Sequence, residues 1–131
     1  MTDPSQGPYY PTIPGLPTRS VLVIDPDVGA TVKTASTQAD KLRQVYVDNR
    51  KNSTDVWLKI YDALIANVTV GTTVPPVYAR VEARDELHFV SPGGISFATG
   101  ISFAVVTEGG SDGNTSPTNT VGVLLEVVDF A

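Results

Sequence analysis

The fold class predicted by this sequence is all-β: an antiparallel β-sandwich of jelly-roll-like type, with an extended proline-rich N-terminal arm. Three observations predict it. Apolar and polar residues alternate over strand lengths, most cleanly at Val77–Arg84, where Val77, Ala79, Val81 and Ala83 share one side and Tyr78, Arg80, Glu82 and Arg84 the other. This period of two is the mark of a half-buried strand. Strand-like runs recur at spacings of about ten residues, punctuated by Gly, Pro, Asn and Asp. Almost no helical period is present.

The chain has 131 residues, enough for one domain with a buried core and an appendage. It contains no cysteine, which excludes disulfides and thiolate metal sites. The net charge is −5, and the nine basic residues are scattered. Nucleic acid is therefore not an expected partner, because phosphate neutralisation requires clustered Lys and Arg. Neither a bilayer-length apolar run nor a secretory leader is evident, so no membrane partner is expected. The Asn-x-Ser/Thr matches at Asn52, Asn67 and Asn114 are then read as chance.

Taken in order, residues 1–17 form the arm and 18–131 the sandwich domain. Pro4, Pro8, Pro11, Pro14 and Pro17 forbid a helix and preset an extended chain, which reaches about 50 Å at polyproline spacing. Tyr9, Tyr10, Ile13 and Leu16 are its candidate partner-binding anchors. Val21–Ile24 is a short apolar strand stopped by the turn Asp25-Pro26-Asp27. Thr31–Ala39 is either a twisted edge strand or a loop. Leu42–Asp48 reads as a strand, followed by a polar turn at Asn49–Ser53. In the next strand, Val56–Ala63, Val56, Leu58 and Ile60 face one way and Trp57, Lys59 and Tyr61 the other. Pro75-Pro76 precedes the alternating strand Val77–Arg84, and Asp85-Glu86 forms a turn after it.

The stretch Leu87–Thr107 is the organising centre. Leu87–Val90, Ile95–Ala98 and Ile101–Val105 are three strand-like pieces, the first two parted by a strong break at Pro92-Gly93-Gly94. They are expected in the middle of one antiparallel sheet, with Ile101, Phe103 and Val105 in the core. Gly109–Thr118 has the composition of a flexible surface loop. Val121–Phe130 closes the domain and is apolar on both faces. Such a strand is either central in the sandwich or covered by another subunit, and the second case makes the protein a homo-oligomer.

Candidate chemistry is sparse. The lone histidine, His88, is expected to point away from Leu87 and Phe89. Asp25 and Asp27 resemble a carboxylate pair, although a turn bonding its own backbone fits them better. Ser111–Asn114 lacks the ligand run and closing Glu of a calcium loop. Trp57, Tyr61, Tyr46 and Tyr78 suit either a sugar-stacking platform or packing. No nucleophile is paired with a base, so no enzymatic activity, catalytic residue, cofactor or metal is expected.

Four motifs occur together: YVDN (Tyr46–Asn49), WLKIYDA (Trp57–Ala63), VGTT followed by Pro75 (Val70–Thr73), and PGGISFATGISFAVVT (Pro92–Thr107). In this order they resemble small virion structural proteins of tailed bacteriophages, the β-sandwich proteins of the capsid-decoration, or cement, kind. The resemblance covers roughly residues 41 to 128. It implies a homo-oligomer, a trimer, assembled in the host cytoplasm and fixed outside a phage head on the major capsid protein. It carries over no catalytic residues. The acidic charge suits the outside of a head better than a lumen filled with DNA. A tail, fibre or spike component and a carbohydrate-binding module are the alternatives.

Overall fold

The computed structural model describes residues 17–130. Of the arm, Pro17 opens the first strand, while residues 1–16 with the anchors Tyr9, Tyr10, Ile13 and Leu16 lie outside the described residues. Eight strands follow: β1 (Pro17–Asp25), β2 (Lys33–Ser36), β3 (Asp40–Asp48), β4 (Val56–Tyr61), β5 (Val77–Val81), β6 (Glu86–Phe97), β7 (Ile101–Val106) and β8 (Gly122–Phe130). A 3-10 turn, Ile65–Asn67, interrupts the β4–β5 connection. The strands make two antiparallel four-stranded sheets, ordered β1-β8-β3-β6 and β2-β7-β4-β5. This is the strand order of an eight-stranded jelly roll, and the predicted fold class holds.

The period-two pattern is what closes the core. Leu42, Val45 and Val47 of β3 and Val123, Leu125 and Val127 of β8 turn inward from the first sheet. Val56, Leu58 and Ile60 of β4 and Ile101, Phe103 and Val105 of β7 meet them from the second. The last three are each at most 1 % exposed, as the alternation required. β8 lies between β1 and β3; Val123, Leu125 and Val127 fill the core, and on its outer side Leu124 is partly and Val128 fully buried. Thr31–Ala39 supplies the four-residue edge strand β2.

The organising stretch departs from expectation. Pro92-Gly93-Gly94 does not break the chain, because β6 continues through it. Leu42 pairs with Ile95 and Gln44 with Val90, so residues 91–94 bulge out opposite Arg43 alone. β6 is an edge strand, where Pro92 need not donate to a ladder and Gly94 adopts a φ of +77°. Nor do the three pieces share a sheet. The first two belong to β6 and the third is β7, an inner strand of the opposite sheet. Thr99-Gly100 carries the chain across, steadied by Asp62, whose carboxylate accepts the N–H groups of Ala98 and Thr99 at 3.1 and 2.9 Å.

A second departure concerns the outer face of the β2-β7-β4-β5 sheet. Lys59 and Tyr61 point outward from β4, yet are 1 % and 0 % exposed. Ser102, Ala104 and Val106 of β7 are buried beside them. The cover includes the segment that composition assigned to a surface loop. Gly113 is buried there, and its carbonyl accepts a hydrogen bond from Lys59 Nζ at 2.8 Å. Gly109 lies on the Trp57 indole so closely that an added Cβ would come within 2.9 Å of two ring carbons.

The polar turn at Asn49–Ser53 is an interior latch. Asn49 and Asn52 are 0 % and 1 % exposed. Asn49 Nδ2 donates to the carbonyls of Thr54 and Glu82, each at 3.0 Å. Asn52 Nδ2 donates to Asn49 Oδ1 at 3.0 Å, while its Oδ1 accepts the Asn119 N–H at 2.8 Å. Three connections are thereby tied by side chains that satisfy buried backbone groups.

Candidate interaction face

The outer face of the β1-β8-β3-β6 sheet gathers the features that point to contact with another molecule. Register places Ile24, Leu124, Tyr46 and His88 in one row across the four strands, and Leu22, Glu126, Gln44 and Val90 in the next. Leu22, Ile24 and Val90 are 55 %, 67 % and 53 % exposed. Leu22 and Ile24 lie on the edge strand β1 and Val90 on the opposite edge strand β6, with Glu126, Gln44, Tyr46 and His88 in the rows that join them. A depression of about 190 Å³ lies at one end, lined by Ile24, Pro26, Tyr46 and Leu124 among others.

A charge sits in the middle of this apolar face and is fully partnered. Glu126 accepts two bonds from Arg43, at 2.6 Å from Nε and 2.7 Å from Nη2. Ser20 Oγ donates to it at 2.8 Å and Gln44 Nε2 at 3.2 Å. The register shift of β3 between Leu42 and Gln44 falls at Arg43. The Arg43 bonds, aided by those of Ser20 and Gln44, outweigh desolvation and hold the Glu126 carboxyl at about 2. The arginine pKa is raised in return.

The rim toward the β3–β4 turn is polar. Tyr46 donates its hydroxyl proton to Glu86, which also pairs with Arg50 Nε at 3.3 Å. Arg50 donates to both carboxylate oxygens of Asp48 at 3.0 Å. That bond raises the Tyr46 pKa, and the Arg50 bonds lower that of Asp48.

The other sequence candidates fall as follows. His88 is exposed on this same face, edge-on to Tyr46 with ring centroids 6.3 Å apart, and its Nε2 lies 3.1 Å from Gln44 Oε1. Asp25 Oδ1 accepts the Asp27 N–H at 3.0 Å, the turn bond expected of that pair. Of the four aromatics, only Trp57 and Tyr78 meet, with centroids 5.9 Å apart. Tyr61 is buried and Tyr46 is on the other sheet, so the four do not form one platform. Among the described residues, no three His, Cys, Asp or Glu side chains are grouped so as to hold a metal ion.

The Arg43–Glu126 pair went unread in the sequence. Its signal was a single charge inside the apolar run of β8.

No family model matches the sequence, and no curated protein sequence matches it. Among solved structures, the chain is similar to the coat protein of Tobacco streak virus, at 13 % identity and a TM-score of 0.38, over 88 % of this chain and 89 % of that one. A likeness that distant carries no argument about function.

Proposed function

We propose that this chain is a structural virion protein that decorates the outside of a tailed-phage head, a homo-oligomeric cement that binds the major capsid protein through the outer face of its first sheet. The observation that carries the reading is the exposure of Leu22, Ile24 and Val90 at the two edges of this face, on either side of a self-satisfied ion pair. Such a face suits burial against protein, since the ion pair at its middle is already satisfied from within. Jelly rolls recur in capsid and lectin domains, and the sequence motifs favour the capsid use. Residues 1–16 join at the start of β1 and serve as a second contact, with Tyr9, Tyr10, Ile13 and Leu16 as anchors.

The test mixes purified protein with undecorated heads and measures occupancy and heat resistance. Val90→Asp should reduce occupancy at least tenfold while leaving the fold intact, because the Val90 side chain is over half exposed. Deletion of residues 1–16 should weaken attachment further. Full occupancy by both variants would refute the proposal.

A further inference from the structure

We infer that β1 is a pairing edge for a second copy of this chain, joining two sandwiches through an antiparallel β1–β1 contact centred on Leu22. This inference does not rest on the virion reading.

The other three sheet edges carry the usual protections against pairing. β6 carries Pro92 and the bulge at residues 91–94. β2 has only four residues, carries Lys33 and shifts register between Thr34 and Ser36. β5 has five residues, follows Pro75-Pro76 and presents Arg80. β1 has none of these devices along its middle. Its register with β8 is regular from Arg19 to Asp25, and Ser20–Ile24 contains neither proline nor charge.

Among the described residues, no strand pairs with the outer edge of β1. That edge also concentrates apolar exposure: Val21, Leu22 and Ile24 are 43 %, 55 % and 67 % exposed. A nine-residue edge with bare apolar residues on both faces is a template for strand addition.

The sequence of the strand selects the occupant. Antiparallel pairing about a two-fold axis at Leu22 sets Leu22 opposite itself, Val21 opposite Val23 and Ser20 opposite Ile24 of the second copy. Arg19 then stands opposite Asp25, so the contact carries two pairs of opposite formal charge in register. A self-complementary strand is what an isologous interface requires. On the inward side, a cleft of about 310 Å³ opens between β1 and β2, lined by Val21, Thr34, Ala35 and Val127 among others. The second copy's Val23 would stand beside its mouth. The product is one continuous eight-stranded sheet spanning two copies.

The absence of cysteine makes the register testable by cross-linking. In the full-length chain, Leu22→Cys should oxidise to a covalent dimer as the main product, because directly opposed strand positions fall within disulfide reach. Ser20→Cys should give at least tenfold less, while S20C/I24C should cross-link. Sedimentation equilibrium of the cysteine-free protein should show a dimer at micromolar concentration. Arg19→Asp should weaken that dimer at least tenfold, and R19D/D25R should restore it. A monomer or trimer by mass, equal cross-linking of L22C and S20C, or no rescue by the charge swap would overturn the inference. So would a dimer that forms only after deletion of residues 1–16, since the chain's own arm would then be the edge's occupant.

Discussion

Replacing Arg43 by methionine keeps most of the side-chain volume and leaves Glu126 without its counter-charge. In the native protein Glu126 has a pKa of about 2 against an ordinary 4.5. That gap corresponds to about 3 kcal/mol of stability at neutral pH. Because the folded value lies below the unfolded one, this contribution is complete above 4.5 and is lost as pH falls toward 2. Breaking a fully buried pair by removing one partner destabilises by about 3–5 kcal/mol. Here Arg43 is 27 % exposed and Ser20 and Gln44 still donate, so the expected loss for Arg43→Met is about 2–3 kcal/mol at neutral pH. The variant's carboxyl should regain a proton at higher pH than the native one does. The difference between the two proteins must therefore shrink on acidification. Urea unfolding at neutral pH and at about pH 3 measures it directly. A difference that stays constant across that range, or a neutral-pH loss below about 0.5 kcal/mol, would show that the pair does not anchor this face.

Further outcomes follow from the packing. Phe103→Ala removes a ring that is 1 % exposed in the core and should lower stability by about 3–5 kcal/mol in urea or thermal unfolding. Gly113→Ala should lose about 1–3 kcal/mol, because the new Cβ would sit 2.5 Å from the Glu108 carbonyl oxygen and backbone cannot swing aside. Lys59→Met should leave the melting temperature at neutral pH unchanged or higher. Desolvation lowers the Lys59 pKa against the pull of Asp112 and Glu108, so the native protein should gain stability as pH rises toward the ordinary lysine value of 10.5. The methionine variant should lose that slope, as melting curves across the alkaline range will show.

What could be read in the sequence was whatever one strand states about itself. The alternation in Val77–Val81 and Ile101–Val105 names an inner face, and those faces are the core. Period two is silent when the outer face is covered as well. Lys59 and Tyr61 occupy positions that a lone strand assigns to solvent, yet both are buried, Lys59 with its Nζ on the Gly113 carbonyl 54 residues away. Pro92 and the glycines after it misled for a related reason. Whether they end a strand or bulge within it depends on whether that strand lies at an edge, and pairing order settles this. The interaction face was hidden in the same way. Arg43 and Glu126 lie 83 residues apart, and Val21–Ile24 reads as an ordinary core strand until its position at the rim is known.

The neighbour relations of β8 also constrain how the protein comes to be made. β1 and β3 are not adjacent in the first sheet, and β8 sits between them. During synthesis, β1 therefore has no partner on either side until almost the whole domain has left the ribosome. The pairs β4–β5 and β3–β6 can form earlier, but the first sheet is completed only by its most distant segment. Such non-local closure slows folding into the millisecond-to-second range and prolongs the exposure of unpaired edges. Val21–Ile24 is the most apolar part of the strand that waits longest. Two nascent chains on one messenger would present it to each other before either had closed its own sheet. Expression at lower temperature, or at lower chain density, should accordingly raise the soluble yield.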